Sequence, residues 1–290
     1  MASARKISLQ AQPLRAQDIV LFEGKAFAAC GNWVHMEVRD AANVLWLSYD
    51  ADIDKGDSLI RDLRFSGSHH LIMVLGTETM PKEMLVWDLE TKEQTLRFIP
   101  GNYDRLLLSA DRSAPRFVAP VSNETVGIVD IPTRRILQTF SGLQCEIAAL
   151  APIHPWIAAA TFADSGMRLA VAGMLPGILE RPIDGFIQAI CWSADETHLW
   201  VSYENRLVKY RSDTLAEVET CEGFEGWVDH MAMRGHILAA SIEQHGVQVM
   251  NLATHQRLVL PTMTAFAFDV EPDRLFAAHE TAVDRIDLRW

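Results

Sequence analysis

The feature that most constrains the fold of this chain is an internal repeat with a period of about 41 residues. Seven segments of alternating apolar residues end at comparable positions, which we call the slots, and four of the slots hold an aspartate. The slots are Asp40, Asp88, Asp130, Ala172, Arg211, Asn251 and Asp287. A spacing of about 40 to 45 residues is typical of the four-stranded blades of a β-propeller.

Two further markers keep the same register. A glycine follows four successive slots by 12 or 13 residues, where the chain must turn from the outermost strand of one unit to the innermost strand of the next. These glycines are Gly101, Gly142, Gly185 and Gly223. An apolar run such as Ile187, Ile190 and Trp192 then marks each innermost strand. Segment 147–163 contains Pro152 and Pro155, which would break a helix, so two strands and a turn are expected there.

The repeat predicts an all-β fold, a single seven-bladed β-propeller of four-stranded antiparallel blades that covers residues 1–290 as one domain. The last unit has room for only three strands, near 265–270, 274–278 and 282–287. The alternating segment 6–11 precedes the first unit, whose strands begin near Ile19. We expect residues 6–11 to complete the last blade, because this pairing would close the ring and cover an exposed sheet edge.

At these residues the chain resembles the WD40-repeat proteins in a degenerate form. Trp87-Asp88 is the literal WD pair, whereas the Gly-His dipeptide that precedes the innermost strand in that family is replaced by PGNY, SGLQ, DGFI and EGFE. The resemblance extends over nearly the whole chain. It implies a β-propeller that serves as a scaffold for protein complexes.

Composition restricts the class of protein and of partner. The chain has 26 Lys and Arg against 38 Asp and Glu, a formal net charge of −12, which argues against nucleic-acid binding through a broad basic surface. Its four cysteines form no C-x-x-C pair, so reduced thiols are expected. No apolar run reaches the length of a membrane span, so we expect no membrane insertion and a cytoplasmic location.

The sequence contains little that indicates a catalytic or metal-binding site. No nucleophile elbow, P-loop, dinucleotide-binding glycine pattern or zinc-protease motif is present, so we predict no enzyme activity, no catalytic residue and no cofactor. Asp50, Asp52, Asp54 and Asp57 could offer oxygen ligands to Ca²⁺, but the glycine spacing of an EF-hand is absent and a solvated acidic loop is favoured. The pair His69-His70 is expected at a strand start with side chains on opposite faces, and no metal site is predicted.

Polar and aromatic residues at the entrances of the innermost strands form the candidate site. Such positions converge on the mouth of the central channel, where a rigid surface can bind another protein. The predicted partner-binding residues are Asp62, Tyr103, Arg105, Gln188 and Trp227. The function predicted is a non-catalytic scaffold or complex subunit that binds a protein partner, with the blade sides and the opposite face as other possible surfaces. The alternative is a propeller enzyme, or a small-ligand or cation binder, that acts at the channel mouth.

Overall fold

The computed structural model is a seven-bladed β-propeller with seven antiparallel sheets. It describes residues 12–51, 59–77, 81–99, 109–110, 114–122, 124–143, 145–163, 166–269, 271, 273–280 and 282–290. Six sheets have four strands, and the seventh has three among these described residues. In each sheet the strands follow chain order, and the first strand of one blade contacts the first strand of the next. The first strands therefore surround the central channel.

The first three blades are built from consecutive strands. Blade 1 has β1 Arg15–Phe22, β2 Lys25–Gly31, β3 His35–Asp40 and β4 Leu45–Asp50. Blade 2 has β5 Leu59–Ser66, β6 His70–Gly76, β7 Pro81–Asp88 and β8 Gln94–Phe98. Blade 3 has β9 Ser109–Ala110, β10 Arg116–Ser122, β11 Thr125–Asp130 and β12 Arg135–Ser141.

The remaining four blades follow the same plan. Blade 4 has β13 Ile147–Leu150, β14 Ile157–Ala163, β15 Gly166–Ala172 and β16 Ile178–Ile183. Blade 5 has β17 Ile187–Trp192, β18 His198–Tyr203, β19 Arg206–Arg211 and β20 Glu217–Glu222. Blade 6 has β21 Val228–Arg234, β22 Ile237–Ile242, β23 Gly246–Asn251 and β24 Arg257–Leu260. Blade 7 has β25 Ala265–Phe268, β26 Arg274–His279 and β27 Ala282–Asp287.

Every slot of the repeat is the last residue of the third strand of its blade. The preference for Asp and Asn there has a local cause. Asp40 Oδ1 accepts hydrogen bonds from the N–H groups of Ala42 (3.0 Å) and Val44 (2.9 Å), and Asn251 Oδ1 accepts one from the N–H of Ala253 (3.0 Å). A short side chain that ends in an oxygen satisfies the free N–H groups of the turn into the fourth strand.

The core is divided among the interfaces between neighbouring blades, because both faces of each sheet are covered. In β6, Leu71 and Met73 pack toward blade 1, whereas Ile72 and Val74 pack toward blade 3. This alternation places successive side chains on opposite faces, so β6 is apolar from Leu71 to Leu75.

The ring is closed by contact between blades 1 and 7. Ala16 and Ile19 of β1 share a buried cluster with Ala265 and Ala278 of blade 7, and the hydroxyl of Thr264 donates a hydrogen bond to the Ala16 carbonyl (2.7 Å). The segment predicted to complete blade 7, residues 6–11, lies outside the described residues. Within the described part of the chain, no helix is long and apolar enough to cross a membrane.

Candidate partner-binding face

The central channel opens on one face of the ring into a cavity of about 1730 Å³. We call this face the channel-mouth face. The loops that lead into the first strands line it, together with the turns between second and third strands, such as Asn32 and Trp33 between β2 and β3. Among the described residues, six of the seven blades thus contribute to one concave surface whose loops are each held by two strands.

The structure places three of the five predicted residues together at this cavity. Asp62, Gln188 and Trp227 all line it, from blades 2, 5 and 6. The other two, Tyr103 and Arg105, lie outside the described residues. Asp62 and Gln188 are half-buried, whereas Trp227 is 42 % exposed.

An exposed row of three aromatic side chains runs along this face across blades 4, 5 and 6. The Phe162 and Phe186 ring centroids are 5.9 Å apart, and those of Phe186 and Trp227 are 5.1 Å apart. Phe162 is 48 % exposed and Phe186 38 % exposed. Adjacent aromatic rings at these distances attract one another, so the row keeps its shape while it presents apolar area to solvent. We call these three residues the aromatic row.

The backbone explains why two members of the aromatic row point outward. Phe186 and Trp227 each follow a glycine with positive φ, Gly185 at +144° and Gly226 at +102°. A Cβ at Gly226 would come within 2.7 Å of the His245 ring, so the chain can make this approach only with glycine. Of these three aromatic residues, Trp227 was predicted from the sequence, whereas Phe162 and Phe186 were not. The dipeptides Gly185-Phe186 and Gly226-Trp227 are the signal that could have identified Phe186.

Charges at the mouth are unevenly distributed around the ring. The cationic lining residues Arg15, Arg61 and Arg64 come from blades 1 and 2. The guanidinium of Arg61 lies 5.3 Å from the centre of the Trp33 ring, a cation–π contact. On the side of the aromatic row, the lining carboxylates include Asp229 and Glu243 of blade 6.

Two carboxyl groups that line the cavity, those of Asp62 and Asp229, have raised pKa values. Burial raises the pKa of Asp62, although Arg64 Nη2 lies 3.4 Å from its Oδ1. Burial and the negative charge of Glu243 raise the pKa of Asp229 to about 6. Asp229 therefore changes its charge within the physiological range. Perturbed acids in a cleft are a feature of functional sites, and also of structural ion-pair networks.

The cysteine thiols are unsuited to nucleophilic chemistry. Burial raises the pKa of Cys30 and of Cys145 to about 12, so both stay protonated at neutral pH. The described residues that line the cavity include neither a cysteine nor a histidine.

Of the four aspartates considered as cation ligands, the structure describes Asp50. Asp50 ends β4, where its Oδ1 lies 2.8 Å from His35 Nδ1. Asp52, Asp54 and Asp57 lie outside the described residues.

The prediction that His69 and His70 point away from each other is wrong. Their ring centroids are 4.2 Å apart at an angle of 37°. The reason is that His69 belongs to the turn before β6 and only His70 is in the strand, so the alternation of strand side chains does not apply to the pair.

Comparisons with known proteins support the fold and go no further. No family model matches the chain, and no curated protein matches it. Among solved structures 1424 chains match, which shows that the fold is widespread and that the likeness by itself identifies no function. A chain in "Crystal Structure of Mitotic Checkpoint Complex" is similar at 11 % identity with a TM-score of 0.68. The match covers 96 % of this chain and 90 % of that chain. The fold is thus that of a seven-bladed β-propeller, as the sequence predicts.

Proposed function

We propose that the protein is a non-catalytic interaction scaffold that binds a partner protein through its channel-mouth face. The observation that carries the proposal is the aromatic row, because Phe and Trp are enriched where interfaces derive most of their binding energy. The likeness to a chain of a multi-protein complex supports a role within a complex.

The chemistry of the face suggests the chemistry of the partner. The partner places an apolar side chain on the aromatic row and a Lys or Arg beside Asp229 and Glu243, where among the described residues no ion pair is formed. Asp62 contributes a polar contact from blade 2, and Gln188 contributes one from blade 5 beside the aromatic row. Tyr103 and Arg105, which lie outside the described residues, remain part of this proposal as predicted contacts.

The alternative, an enzyme or small-ligand binder at the channel mouth, has one observation in its favour, the raised pKa of Asp229. A pKa of about 6 suits a general base. The proposal of a scaffold is preferred because two exposed aromatic rings, Phe186 and Trp227, stand at the same cavity and offer a large apolar contact.

The proposal is tested by affinity purification of the tagged full chain from its own cells. We compare the wild type with Trp227→Ala and Phe186→Ala, and use Trp290→Ala as the matched control because Trp290 is 36 % exposed but lies outside the channel-mouth cavity. Loss of a central aromatic contact of about 2 kcal/mol weakens binding about 30-fold. We expect Trp227→Ala and Phe186→Ala to lose the same partner, and Trp290→Ala to retain it.

Salt provides a second readout of the same experiment. Because the partner is expected to bring a positive charge to Asp229, its recovery should fall as NaCl is raised, since salt screens exposed charges. Full recovery of every co-purifying protein with both aromatic variants would refute the channel-mouth face as the interface. Turnover of an ester, lactone or phosphate substrate that is abolished by Asp229→Asn would favour the enzyme alternative.

A further inference from the structure

A cluster of three side chains with metal-ligand chemistry lies in blade 2, outside the candidate partner-binding face. A ring nitrogen of His69, a ring nitrogen of His70 and a carboxylate oxygen of Asp88 all lie within 4.8 Å of one another. His69 ends the turn between β5 and β6, His70 begins β6, and Asp88 ends β7. We call these three residues the His-His-Asp cluster.

Strand pairing accounts for the convergence. His70 and Asp88 are direct cross-strand partners in the β6–β7 pair, so their side chains stand on the same face of the sheet. His69 precedes the strand, and the centroid of its ring lies 4.2 Å from that of His70, with the two rings tilted by 37°. The three groups are therefore brought together by the backbone of one blade.

The hydrogen bonds of the cluster leave one ligand atom available on each residue. His69 Nδ1 lies 2.8 Å from the Ser68 hydroxyl, which leaves Nε2 for another partner. Asp88 Oδ1 accepts hydrogen bonds from the N–H groups of Glu90 (2.7 Å) and Thr91 (3.2 Å), and Oδ2 receives none among the described residues. Fixing one atom of a ligand orients the other, as in established metal sites.

His70 provides an independent observation. Its side chain is only 7 % exposed, and its buried Nδ1 has no hydrogen-bond partner within the described part of the chain. A buried polar atom without a partner is destabilising by about 1–3 kcal/mol, and most such atoms in folded proteins are satisfied. A metal ion at this nitrogen would provide the missing partner.

We propose that His69, His70 and Asp88 bind a zinc ion. Two imidazole nitrogens and one carboxylate oxygen are a ligand set for zinc, whereas Ca²⁺ and Mg²⁺ prefer oxygen ligands alone. Zn–N and Zn–O distances of about 2.0–2.2 Å place tetrahedral ligand atoms about 3.4 Å apart, so atoms that lie within 4.8 Å of one another need to shift by no more than about 1.5 Å on binding. His69 lies in a turn and is half-exposed, which allows this movement.

The site lies on the face opposite the channel mouth. It is formed by the turns after the first and third strands, whereas the channel-mouth face is formed by the turns after the second and fourth strands. The ring of Phe22, at the end of β1, lies 5.6 Å from that of His69 and marks the same face. Three protein ligands leave a fourth position for water or for a donor from a bound molecule. Zinc binding is therefore independent of the proposed partner interaction.

The test is isothermal titration of the full chain, stripped with EDTA and desalted, with ZnCl₂. We expect one zinc ion per chain, an affinity weaker by at least about tenfold in His69→Ala, and an unchanged affinity in the matched control His236→Ala, which removes an exposed turn histidine elsewhere. A second variant, His70→Gln, should likewise weaken binding. CaCl₂ should give no binding at the cluster.

Thermal unfolding separates a bound ion from a misfolded variant. Zinc should raise the melting temperature of the wild type and of His236→Ala but not of His69→Ala, provided that the two variants melt at similar temperatures without metal, because a ligand stabilises only the state it binds. Absence of zinc binding by the wild type at 100-fold excess, or equal binding by His69→Ala and wild type, would overturn the proposal.

Discussion

Replacement of Glu196 by alanine should destabilise the protein through the contact between blades 4 and 5. Glu196 lies in the turn between β17 and β18, and its side chain is only 3 % exposed. Its Oε1 accepts hydrogen bonds from the N–H groups of Ile153 (2.5 Å) and His154 (2.9 Å), and its Oε2 lies 2.5 Å from His154 Nδ1. One carboxylate thus satisfies three groups of the neighbouring blade.

The size of the effect follows from these bonds. A hydrogen bond to a charged group contributes about 1.5–3 kcal/mol, so three bonds set an upper bound of about 9 kcal/mol. The turn that holds Ile153 and His154 is exposed, and water replaces part of what is lost. We therefore expect Glu196→Ala to lower the free energy of unfolding by about 2–4 kcal/mol. Glu196→Gln keeps an acceptor oxygen and should lose less.

Urea unfolding followed by tryptophan fluorescence measures the change. Trp156 stacks on His154 at 4.2 Å, so one fluorophore reports directly on this contact. Glu180→Ala is the matched control, because Glu180 is exposed and meets Arg168 only in a surface ion pair of 3.4 Å. The urea midpoint should be highest for Glu180→Ala, lower for Glu196→Gln and lowest for Glu196→Ala. The slope of the unfolding free energy against urea concentration should not change. If the free energies of unfolding of Glu196→Ala and Glu180→Ala differ by less than about 0.5 kcal/mol, the Glu196 carboxylate does not stabilise the contact between blades 4 and 5.

Two further predictions concern the channel mouth and the closure of the ring. In the folded protein the pKa of Asp229 is raised to about 6, so the protonated carboxyl group stabilises the folded state. This stabilisation is complete below about pH 4 and is lost as the pH rises from about 4 through 6. Asp229→Asn should therefore raise the melting temperature at pH 7.5 and leave it unchanged below pH 4; equal shifts at both pH values would contradict this. Deletion of residues 1–11 should lower the melting temperature in a single cooperative transition if this segment completes blade 7, and an unchanged value would exclude that closure.

Much of the fold could be predicted from the sequence because the markers are local. An aspartate such as Asp40 accepts hydrogen bonds from the turn that follows its own strand. The regular spacing of the slots therefore gives the spacing of these turns. The same holds for the turn around Pro152 and Pro155, which separates β13 from β14 as predicted. Features that depend on residues a few positions apart are visible without a structure.

The site was predicted less completely because it depends on contacts between blades. Phe162 is the next-to-last residue of the second strand of blade 4, and nothing in its local sequence shows that it meets Phe186 of blade 5. The histidine pair was misjudged for a different reason. Because β6 begins at His70, the rings of His69 and His70 approach each other instead of pointing to opposite faces of the sheet. The composition of a turn does not predict the start of a strand to within one residue.

The distribution of charge in the channel helps to decide which positive group the mouth can accept. Asp62 is already compensated by the guanidinium of Arg64, 3.4 Å away, and this fixed positive charge repels a free cation. The negative charge that the described residues leave without an ion pair is at Asp229 and Glu243, beside Trp227. A side chain attached to a partner reaches this outer position while its apolar neighbours cover the aromatic row. A small cation gains no such second contact, so the arrangement favours a protein ligand over a free ion.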